Sequence, residues 1–250
     1  SRRILVRGLW SEMKENARDA SDRAVRGYPQ HGRTQPGAMV ILSRELKKLQ
    51  AEYDIEIHVV GHSAGSILLG YWLKELQKRK QKITTASLLA PACTTEFANK
   101  YYIKAHKKNV LDKTNLFIDI MDKERELADN VSKIYQKSLL YLVSRALEDI
   151  HKMPLLGMAE AWNPDQKDVF NRVQNSEIKK WTDFAAKGGT KVFCKQYSKD
   201  DSMVQTSLQG DYTDLAHGSF DNDIRVIEQV LKRISGLEKL PFPVENLSGF

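Results

Sequence analysis

Ser63 lies between two glycines in the stretch Gly61-His62-Ser63-Ala64-Gly65. The G-x-S-x-G spacing is typical of a sharp turn between a strand and a helix, which strains the serine backbone and exposes its hydroxyl. A serine presented in this way attacks carbonyl carbon atoms once a neighbouring base removes its proton. The motif therefore predicts a nucleophile at Ser63. A glycine–serine turn without a catalytic role fits the same five residues, so the flanking segments must decide between the two interpretations.

The segments on both sides of this motif predict the strand and the helix that such a turn requires. Residues 55–60 form an apolar, largely β-branched run of the kind that makes a buried strand. Residues 66–80 are apolar at helical spacing and end in a charged run. This context favours a nucleophilic turn over an incidental one.

A serine nucleophile needs a base that takes its proton and an acid that orients the base. In enzymes with this type of turn, the acid and the histidine follow the serine in that order. Three histidines lie after Ser63: His106 in a basic helical segment, His151 at the end of an apolar one, and His217. His217 lies in a loop between the last predicted strand and the last predicted helix, where a base is expected, so we predict His217. A histidine that only shapes its loop is the alternative, and His62 is interpreted as a residue of the turn.

The acid has several candidates. Asp122 ends a predicted strand that comes one strand before the predicted histidine strand, and it is our first choice. Asp200 and Asp201 are the alternatives, although they leave little room for a helix and a strand before His217. Other acids near the Asp122 strand are weaker candidates: Asp119, which would point into the sheet, Glu124 and Glu126.

Strands and helices alternate along the chain. The predicted strands are residues 55–60, 83–92, 115–122 and 191–197, and the predicted helices are residues 37–53, 66–80, 95–107, 135–150, 164–187 and 221–235. This alternation predicts an α/β fold with a mostly parallel sheet and helices on both faces. We expect one domain over residues 1–238 and an irregular tail over residues 239–250, which contains two prolines.

Two parts of the chain have open interpretations. Residues 123–187 are longer than a simple crossover and could form a small helical lid. Their apolar side chains could line an acyl pocket or could equally fill the core: Leu139, Leu140, Tyr141, Leu142, Val143, Leu155, Leu156 and Met158. Residues 1–20 could open with a strand at residues 4–7, but Leu5, Leu9, Met13 and Ala17 share a helical face, and we predict a helix.

The composition excludes several classes of protein. The chain has 250 residues, of which 28% are charged and 41% hydrophobic, as in ordinary globular proteins. Its net charge of +7 comes largely from short basic runs without interleaved aromatic residues, so nucleic-acid binding is not expected. Weak attraction to anionic surfaces stays an open alternative. Cys93 and Cys194 are too few for a disulfide framework and are expected to be buried free thiols. No apolar run reaches the length of a membrane span and no signal peptide opens the sequence, so we expect a cytoplasmic location without stable membrane insertion.

Three stretches carry a resemblance to a known superfamily. GHSAGS after IHVV, SLLAPAC on the next strand and AHGSFDND before the last helix resemble the α/β-hydrolase superfamily. More narrowly, residues 37–235 look like uncharacterised bacterial serine hydrolases with an esterase- or lipase-like core, whose acid-bearing strand is similar to FIDIMD. The resemblance implies a Ser-His-acid triad, no metal and no organic cofactor. It also implies that the backbone N–H of Ala64 forms half of an oxyanion hole.

One departure from this pattern concerns the second oxyanion donor, which normally comes from a His-Gly loop after an early strand. The nearest match here is Arg7-Gly8, and if residues 1–20 are helical, that strand lies outside this sequence. The chain would then be a fragment or be completed by another polypeptide.

The predicted function is hydrolysis of a small-molecule ester or acyl compound through an acyl-enzyme on Ser63. Thioesterases, amidases and acyltransferases use the same triad and are alternatives, as is a binding or scaffold protein that has kept the fold and lost turnover. The sequence does not indicate the oligomeric state.

Overall fold

Strands and helices alternate in the computed structural model, which describes residues 2–22, 25–26, 34–129, 135–165, 168–187, 191–195, 217–245 and 247. The strands are β1 (Val25–Arg26), β2 (Thr34–Gln35), β3 (His58–His62), β4 (Thr85–Leu89), β5 (Leu116–Met121) and β6 (Lys191–Lys195). The helices are α1 (Arg2–Ala20), α2 (Ala38–Glu52), α3 (Gly65–Arg79), α4 (Thr95–Lys107), α5 (Lys123–Ala128), α6 (Leu139–Leu142), α7 (Arg172–Ala186) and α8 (Ile224–Ser235). A π-helical turn at Val143–Leu147 continues α6, and 3₁₀ turns cover Lys113–Asn115 and Ala159–Trp162.

The central sheet has four parallel strands in the order β3-β4-β5-β6. Helices connect its strands, because the end of one parallel strand and the start of the next lie at opposite edges of the sheet and the chain must cross between them. β1 and β2 pair with each other in a separate antiparallel ribbon. The prediction of an α/β fold with a parallel sheet is therefore confirmed. All four predicted strands are present, although β3 begins three residues later than predicted.

The two middle strands carry the core. Every residue of β4 and β5 is buried, which explains why both read as nearly continuous apolar runs instead of alternating ones. Side chains such as Leu88 and Ile118 are fully buried. The thiol of Cys93, which follows β4, is free and buried as predicted.

The prediction of a helix at the N-terminus is confirmed by α1, but of the apolar face chosen from the spacing Ala17 packs against the core and Leu9 and Met13 do not. Leu9 and Met13 are 55% and 50% exposed, whereas Trp10 is buried. The reason is a polar anchor: the Glu148 carboxylate accepts hydrogen bonds from Trp10 Nε1 at 2.7 Å and Lys14 Nζ at 3.1 Å. Neither α1 nor any other helix in the described ranges combines the length and the apolar character that a membrane crossing needs.

The connection between β5 and α7 packs into the core of the domain. Leu140, Leu155 and Leu156 are fully buried, so these predicted pocket-lining side chains fill the core. Gly157 lies against the chain that follows β4, because its N–H donates to the Pro91 carbonyl at 2.7 Å and a Cβ there would lie 2.7 Å from backbone atoms. Residues 135–150 form two short helical turns where the periodicity predicts one long helix.

Helix α8 is tied to the centre of the sheet by a buried ion pair. Arg233 Nη1 and Nη2 donate to the two oxygens of Asp119, on β5, at 2.7 and 3.0 Å. The side chains of Arg233 and Asp119 are only 6% and 8% exposed. Arg233 also donates to Ser87 Oγ at 3.3 Å and stacks over Phe117. The pair positions α8, which directly follows the turn that carries His217.

Candidate active site

The turn at Ser63 joins the end of β3 to the start of α3 and holds the serine in a strained conformation. The φ angle of Ser63 is 51°, in the left-handed region that residues with a side chain rarely adopt. Four hydrogen bonds fix this backbone. The Ser63 N–H donates to the Leu89 carbonyl at 2.9 Å, and the Ser63 carbonyl accepts from Ser66 N, Ser66 Oγ and Ala92 N at 3.1, 2.7 and 3.0 Å. Strain that the surroundings maintain in this way is a mark of functional turns.

The two glycines of the motif have different environments. A Cβ on Gly61 would lie 3.2 Å from the carbonyl carbon of Gly65, a closer approach to backbone than most Cβ atoms make. A Cβ on Gly65 would have no heavy atom within 4 Å. Gly61 therefore permits the close approach of β3 to α3, whereas Gly65 is not required for it.

This difference predicts opposite effects of two matched substitutions. Gly61→Ala is expected to lower the free energy of unfolding by about 1 to 3 kcal/mol, since the new methyl group overpacks the turn. Gly65→Ala is expected to be neutral or to stabilise by up to about 1 kcal/mol, because alanine is the better helix former. Urea unfolding followed by circular dichroism measures both. Equal losses in the two variants would contradict the close approach at Gly61.

The structure brings Ser63 and His217 together although they are far apart in sequence. His217 Nε2 lies 2.9 Å from Ser63 Oγ, within the range of a hydrogen bond between a nucleophile and its base. His217 is 6% exposed, whereas Ser63 is half-buried. This arrangement allows the imidazole to take the proton of the serine hydroxyl.

The environment of His217 opposes a positive charge on its ring. Burial, and to a smaller extent the charge of His62, lower the pKa of His217 to about 3. The Nδ1 atom of the ring is buried and has no hydrogen-bond partner among the described residues. The imidazole is therefore neutral, which leaves a ring nitrogen lone pair free to take a proton, but its protonated form is unfavourable and no described carboxylate accepts a hydrogen bond from Nδ1.

Asp122, the predicted acid, lies after β5 as expected, but its described contact is with a helix. Its Oδ1 accepts the backbone N–H of Arg125 at 2.8 Å and so caps the N-terminus of α5. The assignment of Asp122 as the ring-orienting acid stays a prediction. Asp200 and Asp201 lie outside the described residues.

Two of the three weaker acid candidates are engaged elsewhere, and the third, Glu124, is exposed in the first turn of α5. Asp119 is paired with Arg233, as described above. Glu126 is buried, its Oε2 accepts from Ala159 N at 3.3 Å, and burial raises the pKa of Glu126 well above its ordinary value. The aspartate that the structure places beside His217 is Asp129, whose Oδ2 accepts the His217 backbone N–H at 3.2 Å. Sequence reasoning missed Asp129, because nothing in its local pattern separates it from the other acids after β5.

His62 also has a role that the motif did not specify. Its Nε2 lies 3.0 Å from the carbonyl oxygen of His217, and its Nδ1 faces the Asp221 carboxylate at 3.9 Å. The rings of His62 and His217 are 5.3 Å apart. His62, the residue directly before the nucleophile Ser63, therefore contacts the backbone of the base His217.

The backbone N–H of Ala64 is the predicted oxyanion donor, and its position is consistent with that role. Ala64 directly precedes α3, where the first N–H groups of a helix have no intrahelical acceptor and attract negative charge. Gly8, the sequence candidate for the second donor, lies inside α1 and is exposed. In the described ranges β4 alone pairs with β3, so no strand there supplies the second donor.

Other reactive or metal-binding groups do not compete with Ser63 in the described region. Burial raises the pKa of Cys93 to about 12, which keeps that thiol protonated at neutral pH. The described residues contain no group of three or more His, Cys, Asp or Glu side chains arranged for a metal ion.

Comparisons of the chain with models of protein families, with curated proteins and with solved structures find no match. The chemistry of the site is therefore inferred from its own geometry.

Proposed function

We propose that this protein is a serine hydrolase that cleaves carboxylic esters through an acyl-enzyme on Ser63. The observation that carries the proposal is the 2.9 Å distance between His217 Nε2 and Ser63 Oγ at a turn with φ of 51° for the serine. A strained serine next to a neutral imidazole is the combination that nucleophilic acyl transfer requires. The order of the elements, with the serine after β3, acids after β5 and the histidine after β6, supports an α/β-hydrolase-like arrangement of the fold.

In the proposed reaction the Ser63 hydroxyl attacks the ester carbonyl carbon while His217 Nε2 takes its proton. The backbone N–H of Ala64 donates to the oxyanion of the tetrahedral intermediate. His217 then gives the proton to the leaving alcohol, which leaves an acyl group on Ser63. A water molecule, deprotonated by His217 in turn, then attacks the acyl carbon. The bond from this carbon to Ser63 Oγ breaks, the acid is released, and His217 returns the proton to the serine oxygen.

Two features of the site support slow turnover, and they favour a catalytically weak protein as the second candidate. The base lacks a carboxylate partner at Nδ1 within the described residues, so its protonated form is unfavourable. The described residues also provide one oxyanion donor, and removing one donor from a complete hole typically costs about 10² to 10³ in kcat.

A fluorophosphonate probe tests the proposal directly. We expect the probe to label the native protein at Ser63, as located by peptide mass mapping, and to leave heat-unfolded protein unlabelled. Turnover of p-nitrophenyl esters of graded chain length then separates a hydrolase from a protein that is only reactive. Labelling without any turnover would favour the binding or scaffold alternative, and absence of both would contradict the proposal.

The pH dependence of hydrolysis follows from the lowered pKa of His217. A pKa of about 3 keeps the imidazole neutral at all higher pH values, so kcat/KM is expected to show no acid limb between about pH 5 and pH 8. The profile is measured with a p-nitrophenyl ester at constant ionic strength, with detection at the isosbestic wavelength. A limb with its midpoint at about 6 to 7 would contradict this prediction and would mean that hydration or a nearby carboxylate offsets the burial of His217 in the working enzyme.

A further inference from the structure

The backbone of His217 is held at both of its polar groups by side chains from two other elements. Its N–H donates to Asp129 Oδ2 at 3.2 Å, and its carbonyl oxygen lies 3.0 Å from His62 Nε2. Asp129 and His217 are both buried, at 5% and 6% exposure. Asp129 follows α5 and His62 ends β3, so contacts distant in sequence converge on one residue.

The chemistry of these contacts determines which ring nitrogen of His62 carries the shared hydrogen. A carbonyl oxygen only accepts hydrogen bonds, so His62 Nε2 must carry the hydrogen that is shared with His217. Nδ1 of the same ring points toward the Asp221 carboxylate, which lies in the turn of His217 itself. His62 therefore acts as a donor between the strand that ends in the nucleophile and the turn that carries the base.

The ring of His217 has no comparable anchor of its own. Nε2 is the atom that faces Ser63, and Nδ1 has no hydrogen-bond partner in the described ranges. In serine hydrolases a carboxylate on Nδ1 normally orients the imidazole. Here the described contacts that fix His217 act on its backbone.

We propose that His62 and Asp129 are positioning residues that hold His217 by its backbone and so keep its Nε2 within reach of Ser63. The proposal rests on the proposed function, since it explains how the base is placed for proton transfer. Because His62 is the neighbour of Ser63, the same residue links the nucleophile to its base. A displacement of about 1 Å between reacting groups can cost on the order of 10² in rate, so loss of one anchor has a measurable effect.

The charged groups that face His217 in the described part of the chain are His62 from β3 and Asp129 after α5, and Asp221 faces His62. The charge of His62 lowers the pKa of His217, whereas the anchoring depends on the hydrogen bonds that His62 and Asp129 make with the His217 backbone. Variants that keep the hydrogen bond but remove the charge separate the two effects.

The first test uses His62→Leu and His62→Gln, with His58→Leu as the matched control. Glutamine places an amide N–H at about the reach of Nε2, whereas leucine has no donor. We expect His62→Leu to lower kcat by about 10- to 100-fold with little change in KM, and His62→Gln to restore most of the loss. His58 lies on the same strand and contacts Thr85 Oγ1, so His58→Leu is expected to change hydrolysis little.

The second test distinguishes a backbone anchor from a ring-orienting acid at Asp129. Asparagine keeps an oxygen that accepts the His217 N–H, so Asp129→Asn is expected to lose less than about tenfold in kcat, and Asp129→Leu more. If Asp129 instead acted on the ring through its charge, Asp129→Asn would lose about 10⁴-fold. That result would overturn the anchoring role of Asp129.

A spectroscopic measurement keeps the proposal testable even without hydrolysis. The chain has six histidines, and ¹H–¹⁵N spectra of histidine-labelled protein report the tautomer and titration of each ring. We expect the His217 signals to shift or broaden in His62→Leu and to stay unchanged in His58→Leu. If the wild-type protein shows no hydrolysis that depends on Ser63, the proposed function fails. The spectra then still test whether His62 holds His217 in place. His217 signals and kcat in His62→Leu that match the wild-type protein would overturn the proposal.

Discussion

Replacing Ser63 by alanine is expected to remove ester hydrolysis, with a loss in kcat on the order of 10³-fold or more. Ser63 Oγ is the atom that lies 2.9 Å from His217 Nε2, and alanine supplies no hydroxyl in its place. The loss is smaller than in an enzyme with a complete triad, because the described site contains one oxyanion donor and no acid on His217 Nδ1. Steady-state kinetics with p-nitrophenyl acetate and butyrate measure the effect.

The stability of the Ser63→Ala variant should be close to that of the wild-type protein. The hydrogen bonds that hold the turn are made by the backbone of Ser63, which alanine retains, and only the contact with His217 is lost. Ser11→Ala on α1 is a suitable control, since it removes a serine hydroxyl far along the chain from the turn. Full hydrolysis by folded Ser63→Ala would assign any activity to another residue and would remove the basis of the proposed function.

The strands and the turn at Ser63 could be predicted because their signals are local. A β-branched run, a G-x-S-x-G turn and an apolar helical period lie within residues 55–80, and the structure arranges them as β3, the turn and α3. His217 could be predicted from the order of the elements, since the carboxyl ends of parallel strands lie at one edge of the sheet. Asp129 could not, because its contact with His217 depends on the path of the chain after α5.

Asp122 shows how one residue type supports two interpretations. An aspartate at the end of a strand suits a triad acid, but Asp122 also precedes a helix with Glu124 and Glu126 in its first turn. That pattern is typical of an N-terminal cap, where a side-chain oxygen accepts a backbone N–H and acids favour the positive end of the helix. The capping signal was therefore present in the sequence, and it competes with the catalytic interpretation.

The packing face of α1 could not be predicted from hydrophobic spacing, because a polar contact decides it. Glu148 is buried and accepts from Trp10 and Lys14, so the helix turns this side toward the domain and leaves Leu9 exposed. A pattern of apolar residues contains no information on a carboxylate that lies more than 100 residues later in the chain. Asp119 is a similar case, since its partner Arg233 follows at the end of α8.

The buried pair of Asp119 and Arg233 leads to the largest expected change in stability. Arg233→Met is expected to lower the free energy of unfolding by about 3 to 5 kcal/mol, because it leaves the Asp119 carboxylate buried without its charged partner. Methionine keeps much of the volume of the arginine stem, so lost packing contributes little. Urea unfolding followed by circular dichroism gives the difference, provided that the slope of the transition is unchanged.

Two further variants show whether the stability lost in Arg233→Met comes from leaving a buried charge without a partner or from losing any ion pair. Asp119→Leu combined with Arg233→Met removes both charges and is expected to recover most of the stability, since apolar residues can replace a buried pair with little cost. Lys179→Met breaks a pair with Asp183 on α7, whose side chains are 66% and 52% exposed, and should change stability by no more than about 0.5 kcal/mol. If Arg233→Met and Lys179→Met had equally small effects, the Asp119 carboxylate would have to be hydrated in the folded protein. The position of α8, and with it the turn that carries His217, would then depend on the packing of α8 alone.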